Sequence, residues 1–286
     1  MTGRAAKIEP PSALRVPGLA LAGAIVVFEG ESGLVPAFLA RPPGEELRPA
    51  VIVIHEIFGL VDHTKDVADR FAREGYVAMA PNLFGSPELA AILTPPKVRA
   101  AMQFMSKLPR RDPVLAEEEL AKLPPEEQAA IAPTVAKLIG GLPRDRLAMD
   151  LVAAASFLQS QPFVIRDRIG SVGFCFGGAM SLRLACEAEI AACVVFYGEN
   201  PSPIEKVKDI RGAVLGLYGA DDARINAGLG ELVKAMAERK KDFEMRIYPG
   251  AGHAFFNDTN PTTYRKEAAL DAWDRVLRFY RRTLGT

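Results

Sequence analysis

Ile169-Gly-Ser-Val-Gly-Phe-Cys-Phe-Gly-Gly178 is the stretch from which the architecture of this chain is read. Its first half, Ile169 to Phe174, is a short apolar run, as expected of a strand buried on both faces of a sheet. Gly178 to Glu187 follows with a helical pattern. Between them lies Gly173-Phe174-Cys175-Phe176-Gly177, a Gly-x-Cys-x-Gly at a strand-to-helix turn. Such a turn is so tight that its central residue takes a strained backbone, and side chains two positions either side would collide. The thiol of Cys175 is thereby expected above the carboxyl edge of a sheet. It also sits at a helix start, whose positive end favours thiolate over thiol. The plainer reading is a glycine-rich turn with an incidental cysteine. The strand and helix on either side favour a nucleophile.

Outward from this turn the pattern repeats. Pro49 to His55 is a continuous β-branched run, Asp62 to Glu74 is helical, and Tyr76 to Ala80 is a second short strand closed by Pro81-Asn82. These three form a βαβ unit. Downstream, Leu147 to Gln159 reads as helix, Ala192 to Tyr197 and Ala213 to Tyr218 as strands, and Leu229 to Arg239 as helix. Glu244 to Tyr248 is then a strand and Tyr264 to Leu284 a closing helix. Alternation of this kind predicts an α/β fold with a mostly parallel central sheet and helices on both faces. Ala24–Phe28 and Val35–Leu39, split by Glu29-Gly-Glu-Ser-Gly, read as an N-terminal hairpin. Residues 1–286 are expected to form a single domain. The stretch 88–142 breaks the rhythm with short helical segments and two Pro-Pro pairs. It is either a helical insertion that acts as a lid or a solvated surface excursion.

Composition narrows the function classes. Apolar residues make up 49% of 286, enough for a large core, and 35 basic residues balance 35 acidic ones. No basic stripe interleaved with aromatics is present, so nucleic-acid binding has no footprint. The start lacks the order of a signal peptide, and the apolar run Leu19 to Phe28 is too short to span a bilayer. The three cysteines, Cys175, Cys186 and Cys193, show no metal spacing and suit a reducing compartment, so a cytoplasmic location with no membrane partner is expected. Cys186 and Cys193 read as small buried hydrophobes. Neither a metal nor a cofactor is called for.

A thiol nucleophile needs a base, and three histidines exist. His253, in Tyr248-Pro-Gly-Ala-Gly-His-Ala-Phe-Phe256, follows a strand and precedes the last helix. That is where an α/β-hydrolase carries its histidine, last after nucleophile and acid. His63 reads as a surface residue opening a helix, and His55 as a strand-end residue that could line the site. The acid comes from Asp221-Asp222 after the strand ending at Tyr218. Asp222 is favoured because its spacing to Ile225 fits a turn into a helix, and Asp221 is the alternative. The acid would fix the imidazole tautomer. The backbone N–H groups of Phe176 and Ile57 are the oxyanion candidates. Arg224, Phe174 and Phe255 are substrate-binding candidates.

Ile54-His-Glu-Ile-Phe-Gly-Leu60, Gly173-Phe-Cys-Phe-Gly-Gly178, Tyr218-Gly-Ala-Asp-Asp-Ala-Arg-Ile225 and Gly252-His-Ala-Phe255 together resemble the dienelactone hydrolase (carboxymethylenebutenolidase) family. The resemblance spans roughly residues 20 to 285, less the insertion. It implies an α/β-hydrolase fold and a Cys-His-Asp triad of Cys175, His253 and Asp222 acting on a small-molecule ester or lactone through a thioester. It also implies that Glu56 contacts the resting thiol and helps convert it to thiolate. From the residues alone, Glu56 could equally be a solvated loop carboxylate. Two departures stand out. Gly85 and Asn257 occupy the positions where that family carries substrate-binding arginines. Arg224, Arg265 or Arg110-Arg111 are the basic residues that could substitute. The competing reading of the chain is a non-catalytic small-molecule binding protein that keeps the fold. A redox role for Cys175 lacks an evident resolving cysteine.

Overall fold

The computed structural model describes residues 23–109 and 112–285. Arg110-Arg111, the start of the chain and the first part of the Leu19 to Phe28 run lie outside them. Among the described residues, eight strands form one sheet in the order β1-β2-β4-β3-β5-β6-β7-β8. They are β1 Ala24–Gly30, β2 Gly33–Ala40, β3 Arg48–Ile54, β4 Val77–Pro81, β5 Val164–Phe174, β6 Ala192–Phe196, β7 Ala213–Gly219 and β8 Phe243–Tyr248. The hairpin β1–β2 pairs antiparallel, as does β2 with β4, and every pair from β4 to β8 is parallel. The expected fold class is therefore the observed one.

Side chains on successive strand residues point to opposite faces. In β3, Ala50, Ile52 and Ile54 enter one core while Val51 and Val53 enter the other, and all are buried. This explains why the run is apolar without interruption. The first core is covered by α6 (Arg144–Gln159), α7 (Phe176–Glu187) and α9 (Leu229–Glu238), the second by α1 (Asp62–Arg73) and α10 (Lys266–Thr283). Cys186 and Cys193 are buried among these apolar residues and unpaired. The strand β5 begins five residues earlier than the sequence pattern shows. Arg166-Asp167-Arg168 is an exposed extension that joins β3 through an irregular step between Arg48 and Ala50. The side chains there touch solvent, so no apolar pattern marked it.

The rhythm-breaking stretch forms four helices, α2 Pro87–Ile92, α3 Pro95–Met105, α4 Pro113–Leu120 and α5 Pro125–Gly140. Each starts with proline in its first turn, where the absent N–H costs nothing. Helices α3, α4 and α5 share a small core of Ala101, Met105, Ala116, Leu120 and Val135, Met102 and Leu138 join it to the main core, and α2 packs there directly through Leu89.

Strand and helix approach closely at the turn between β5 and α7. A Cβ on Gly173 would lie 1.8 Å from the Gly177 carbonyl oxygen, and one on Gly177 would lie 2.3 Å from the Ile54 carbonyl oxygen. Backbone cannot yield by that much without separating strand from helix. Gly173→Ala is expected to cost several kcal/mol and to prevent recovery of folded protein. By contrast, the site of Gly230 in α9 is open, and Gly230→Ala is expected to gain up to about 1 kcal/mol. Thermal unfolding of both variants checks this; a stable Gly173→Ala protein would contradict it.

Candidate active site

Cys175 occupies the turn with φ of 57°, a region an L side chain adopts only under constraint. Its N–H donates to the Phe196 carbonyl at 3.0 Å, which ties the turn to β6. The side chain is partly exposed and opens into a cavity of about 560 Å³ at the carboxyl edge of the sheet. Glu56, Ile57, Phe176, Asp222, Arg224 and His253 line the same cavity. Thus the structure brings together residues from the loops after β3, β5, β7 and β8, where an open α/β sheet places its ligands.

His253 Nδ1 lies 2.5 Å from Asp222 Oδ2, and Asp222 is buried while Asp221 is exposed. Of the two aspartates, Asp222 is the one in contact with the His253 ring. Asp222 also stands at the N-terminus of α8 (Ala223–Asn226), its Oδ1 3.5 Å from the Ile225 N–H. One carboxylate therefore serves ring and helix at once. With Nδ1 engaged, Nε2 is the nitrogen left for the cavity.

Glu56 is buried, and its Oε2 accepts from Asn257 Nδ2 at 2.7 Å. Burial pushes its carboxyl up to about 7, against the pull of that hydrogen bond. It is not a solvated loop residue. The Cys175 thiol is pushed up to about 12, first by burial and then by the nearby Glu56 charge. The Phe176 N–H, donated toward the sulfur, works the other way and loses. The pull of the α7 start towards thiolate is thus outweighed at rest by desolvation and the neighbouring carboxylate, which fits a resting thiol. Glu56 and Cys175 cannot both be charged cheaply, so the resting pair carries at most one negative charge.

Several sequence-based placements change. His63 is buried rather than superficial, with Nδ1 3.3 Å from Asp258 Oδ1, because α1 turns that face onto the core beside Phe174 and Phe256. His55 does not line the cavity. It is fully buried, with Nδ1 2.6 Å from the Glu56 carbonyl oxygen and Nε2 accepting the Leu83 N–H at 3.2 Å. Burial holds it neutral, down to about 4. Its role is to tie the loop after β3 to the end of β4. Phe174 and Phe255 are likewise removed from the substrate-binding set. Phe174 turns to the α1–α10 face, stacking on Phe196 at 4.8 Å and Phe256 at 5.2 Å, and Phe255 packs 5.4 Å from the Tyr197 ring.

Arg224 does line the cavity, paired with Glu199, and Arg144 reaches the same Glu199 at 2.9 Å. Arg265 is spent on the carbonyls of Gly250, Thr262 and Tyr264. Gly85 has no room for a side chain, since its Cβ would meet Pro36 Cδ at 2.9 Å, and Asn257 is engaged by Glu56. The insertion contributes Met102, Leu138 and Leu142 to the cavity wall. Sequence reasoning missed Arg144, Tyr197 and Glu199. The last two follow β6 at its carboxyl end, a position that could have flagged them. Tyr197 and Ala254, like Cys175, have positive φ (41° and 61°), and both line the cavity. Among the described residues no group of three or more His, Cys, Asp or Glu is arranged to hold a metal ion.

The chain matches known proteins over nearly its whole length. Residues 35–284 fit the model of the dienelactone hydrolase family. A protein of Saccharolobus solfataricus assigned as a carboxymethylenebutenolidase is 39% identical over 260 residues, 90% of this chain and 97% of that protein. A Bradyrhizobium protein assigned as a 2-oxo-3-(5-oxofuran-2-ylidene)propanoate lactonase is 30% identical over 88% of this chain and 90% of its own. The crystal structure of a Klebsiella pneumoniae protein assigned as a dienelactone hydrolase superposes with a TM-score of 0.68 at 27% identity. It covers 92% of this chain and 99% of that one.

Burying Glu56 has a stability consequence of definite sign. The unfolded chain releases this proton near 4.5 and the folded chain holds it to about 7. Stability is therefore lost as pH rises between those values and stays lost above them. Glu56→Gln removes the penalty. It is expected to unfold at higher urea than wild type at pH 8, by about 2–3 kcal/mol, with the gap mostly closed at pH 5. A gap independent of pH would refute the buried, late-titrating carboxyl.

Proposed function

The chain belongs to the dienelactone hydrolase family, and on that premise we propose that it hydrolyses small carboxylic ester or lactone bonds with Cys175 as nucleophile, His253 as base and Asp222 orienting the imidazole. The observation that carries this reading is that Cys175, Glu56 and the His253–Asp222 pair all open onto one cavity.

The electrostatics describe how a thiol so reluctant to ionise is used. Transfer of its proton to Glu56 exchanges one buried negative charge for another, so the repulsion that raises the thiol disappears in the same step. The thiolate attacks the carbonyl carbon, and the N–H groups of Phe176 and Ile57 face the resulting oxyanion. The carbon–oxygen bond then breaks, and the leaving oxygen departs with the proton the thiol gave up. This leaves a thioester on Cys175. His253 takes a proton from water, the hydroxide adds to the thioester carbon, and the carbon–sulfur bond breaks. The sulfur recovers that proton from the imidazolium. Water has been added across the ester, and the thiol is restored.

The cavity wall favours a substrate with an apolar body. Ile57, Phe58, Met102, Leu138, Leu142 and Ile225 face it, and the cations that line it, Arg144 and Arg224, share Glu199. Helices α2–α5 thereby act as a cap over the substrate. Three unpaired cysteines suit a reducing, cytoplasmic setting, and among the described residues no helix is long and apolar enough to cross a membrane.

Cys175→Ala is expected to abolish p-nitrophenyl acetate turnover, by about 10³-fold or more, while the protein unfolds as wild type. Retained turnover would remove Cys175 from the chemistry. Iodoacetamide at neutral pH is expected to label Cys175 before Cys186 and Cys193, since Cys175 lines the cavity while the other two are buried. Equal labelling of all three, read by peptide mass spectrometry, would contradict this.

A further inference from the structure

We infer that two copies of this chain associate through the outer edge of β8, the two strands pairing antiparallel about Met245 so that one sheet runs through both subunits.

Among the described residues, β8 ends the sheet and pairs on one side only, with β7. On that side the carbonyl of Asp242 accepts from the Val214 N–H and that of Tyr248 from the Ala220 N–H, each at 2.9 Å. Backbone groups alternate sides along a strand. The even-numbered residues therefore face β7, and Phe243, Met245 and Ile247 direct N–H and C=O outward. Their side chains share the α9 face. Phe243 packs against the core there, while Met245 and Ile247 remain 39% and 38% exposed.

Only odd-numbered residues can meet odd-numbered residues across such an edge. Placing Met245 opposite Met245 and Phe243 opposite Ile247 uses the whole strand, with about six inter-strand hydrogen bonds. In that register Glu244 faces Arg246 of the second copy, twice by symmetry, in the pairs whose side chains approach most closely. A slip of two residues either way sets Glu244 against Glu244 or Arg246 against Arg246. Charge thus selects the register that hydrogen bonding also prefers. The subunit is prepared for it: Asp242 and Glu244 share the single guanidinium of Arg282, leaving one negative charge that Arg246 of the second copy balances. The opposite edge, β1, is also apolar and exposed at Ile25 and Val27. Its one charge is Glu29, so it offers no such complementarity. Sheet edges meant to stay free are often blunted by proline or charged side chains; β8 has no proline, and its two charges, Glu244 and Arg246, are of opposite sign.

Sedimentation velocity of the full chain at micromolar concentration tests this. Wild type is expected at twice the chain mass. Glu244→Arg and Arg246→Glu should each weaken association about tenfold, by placing like charges opposite, and the double exchange should restore it. Met245→Pro removes an N–H that the subunit itself does not use and should give monomer. A monomeric wild type, single variants that associate like wild type, or a dimeric Met245→Pro would each overturn the proposal.

Discussion

A strand and a helix that nearly touch at their junction set the terms for the rest of this molecule. With no Cβ at Gly173 or Gly177, β5 can turn into α7 within one residue, and that residue is Cys175. The left-handed backbone it adopts costs about 1–3 kcal/mol and persists only because the surroundings hold it. They do so with a hydrogen bond from its N–H to β6 and two apolar cores, one on each side of the sheet. Tyr197 and Ala254 repeat the strained conformation beside the same cavity. Stability drawn from the cores is concentrated as strain where the chemistry is proposed.

The second constraint is electrostatic. A thiol and a carboxylic acid share a poorly hydrated space; burial makes both hard to ionise, and the Glu56 charge raises the thiol further. Neither would be placed there for stability. Glu56 is kept in position by Asn257 and, through the backbone, by His55. His55 stays neutral because burial outweighs its hydrogen bonds. An uncharged polar link thus holds the loop that presents both Glu56 and Ile57. A charged histidine at that spot would alter the balance on which the Glu56–Cys175 pair depends.

Packing fixes two positions beside the cavity. Gly85 lies too close to Pro36 to bear a side chain without a shift. Asn257 is spent on holding Glu56. The insertion contributes Met102 and Leu138 to the wall, and Arg144 and Arg224 are bridged there by Glu199. The apolar-bodied substrate proposed above rests on that lining.

Much of this was legible in the residues themselves. Continuous β-branched runs such as Pro49 to Ile54 announced strands buried on both faces, and Gly173 and Gly177 announced the turn. Both properties are local, because a strand's period and a glycine's missing Cβ act within a few residues. Asp222 was favoured over Asp221 by its spacing to Ile225, and the contact with His253 agrees. What failed depended on which face an element presents. His63 looked superficial until α1 turned it inward, and Phe174 and Phe255 proved to be packing beneath the cavity. The charged half of β5 was invisible because its neighbours are solvent. Tertiary structure alone decided that Glu56 would meet Asn257, 201 positions away, and that Glu199 would join Arg144 to Arg224. Polar partnerships of this kind depend on three-dimensional proximity and desolvation, and neither leaves a periodic trace along the chain.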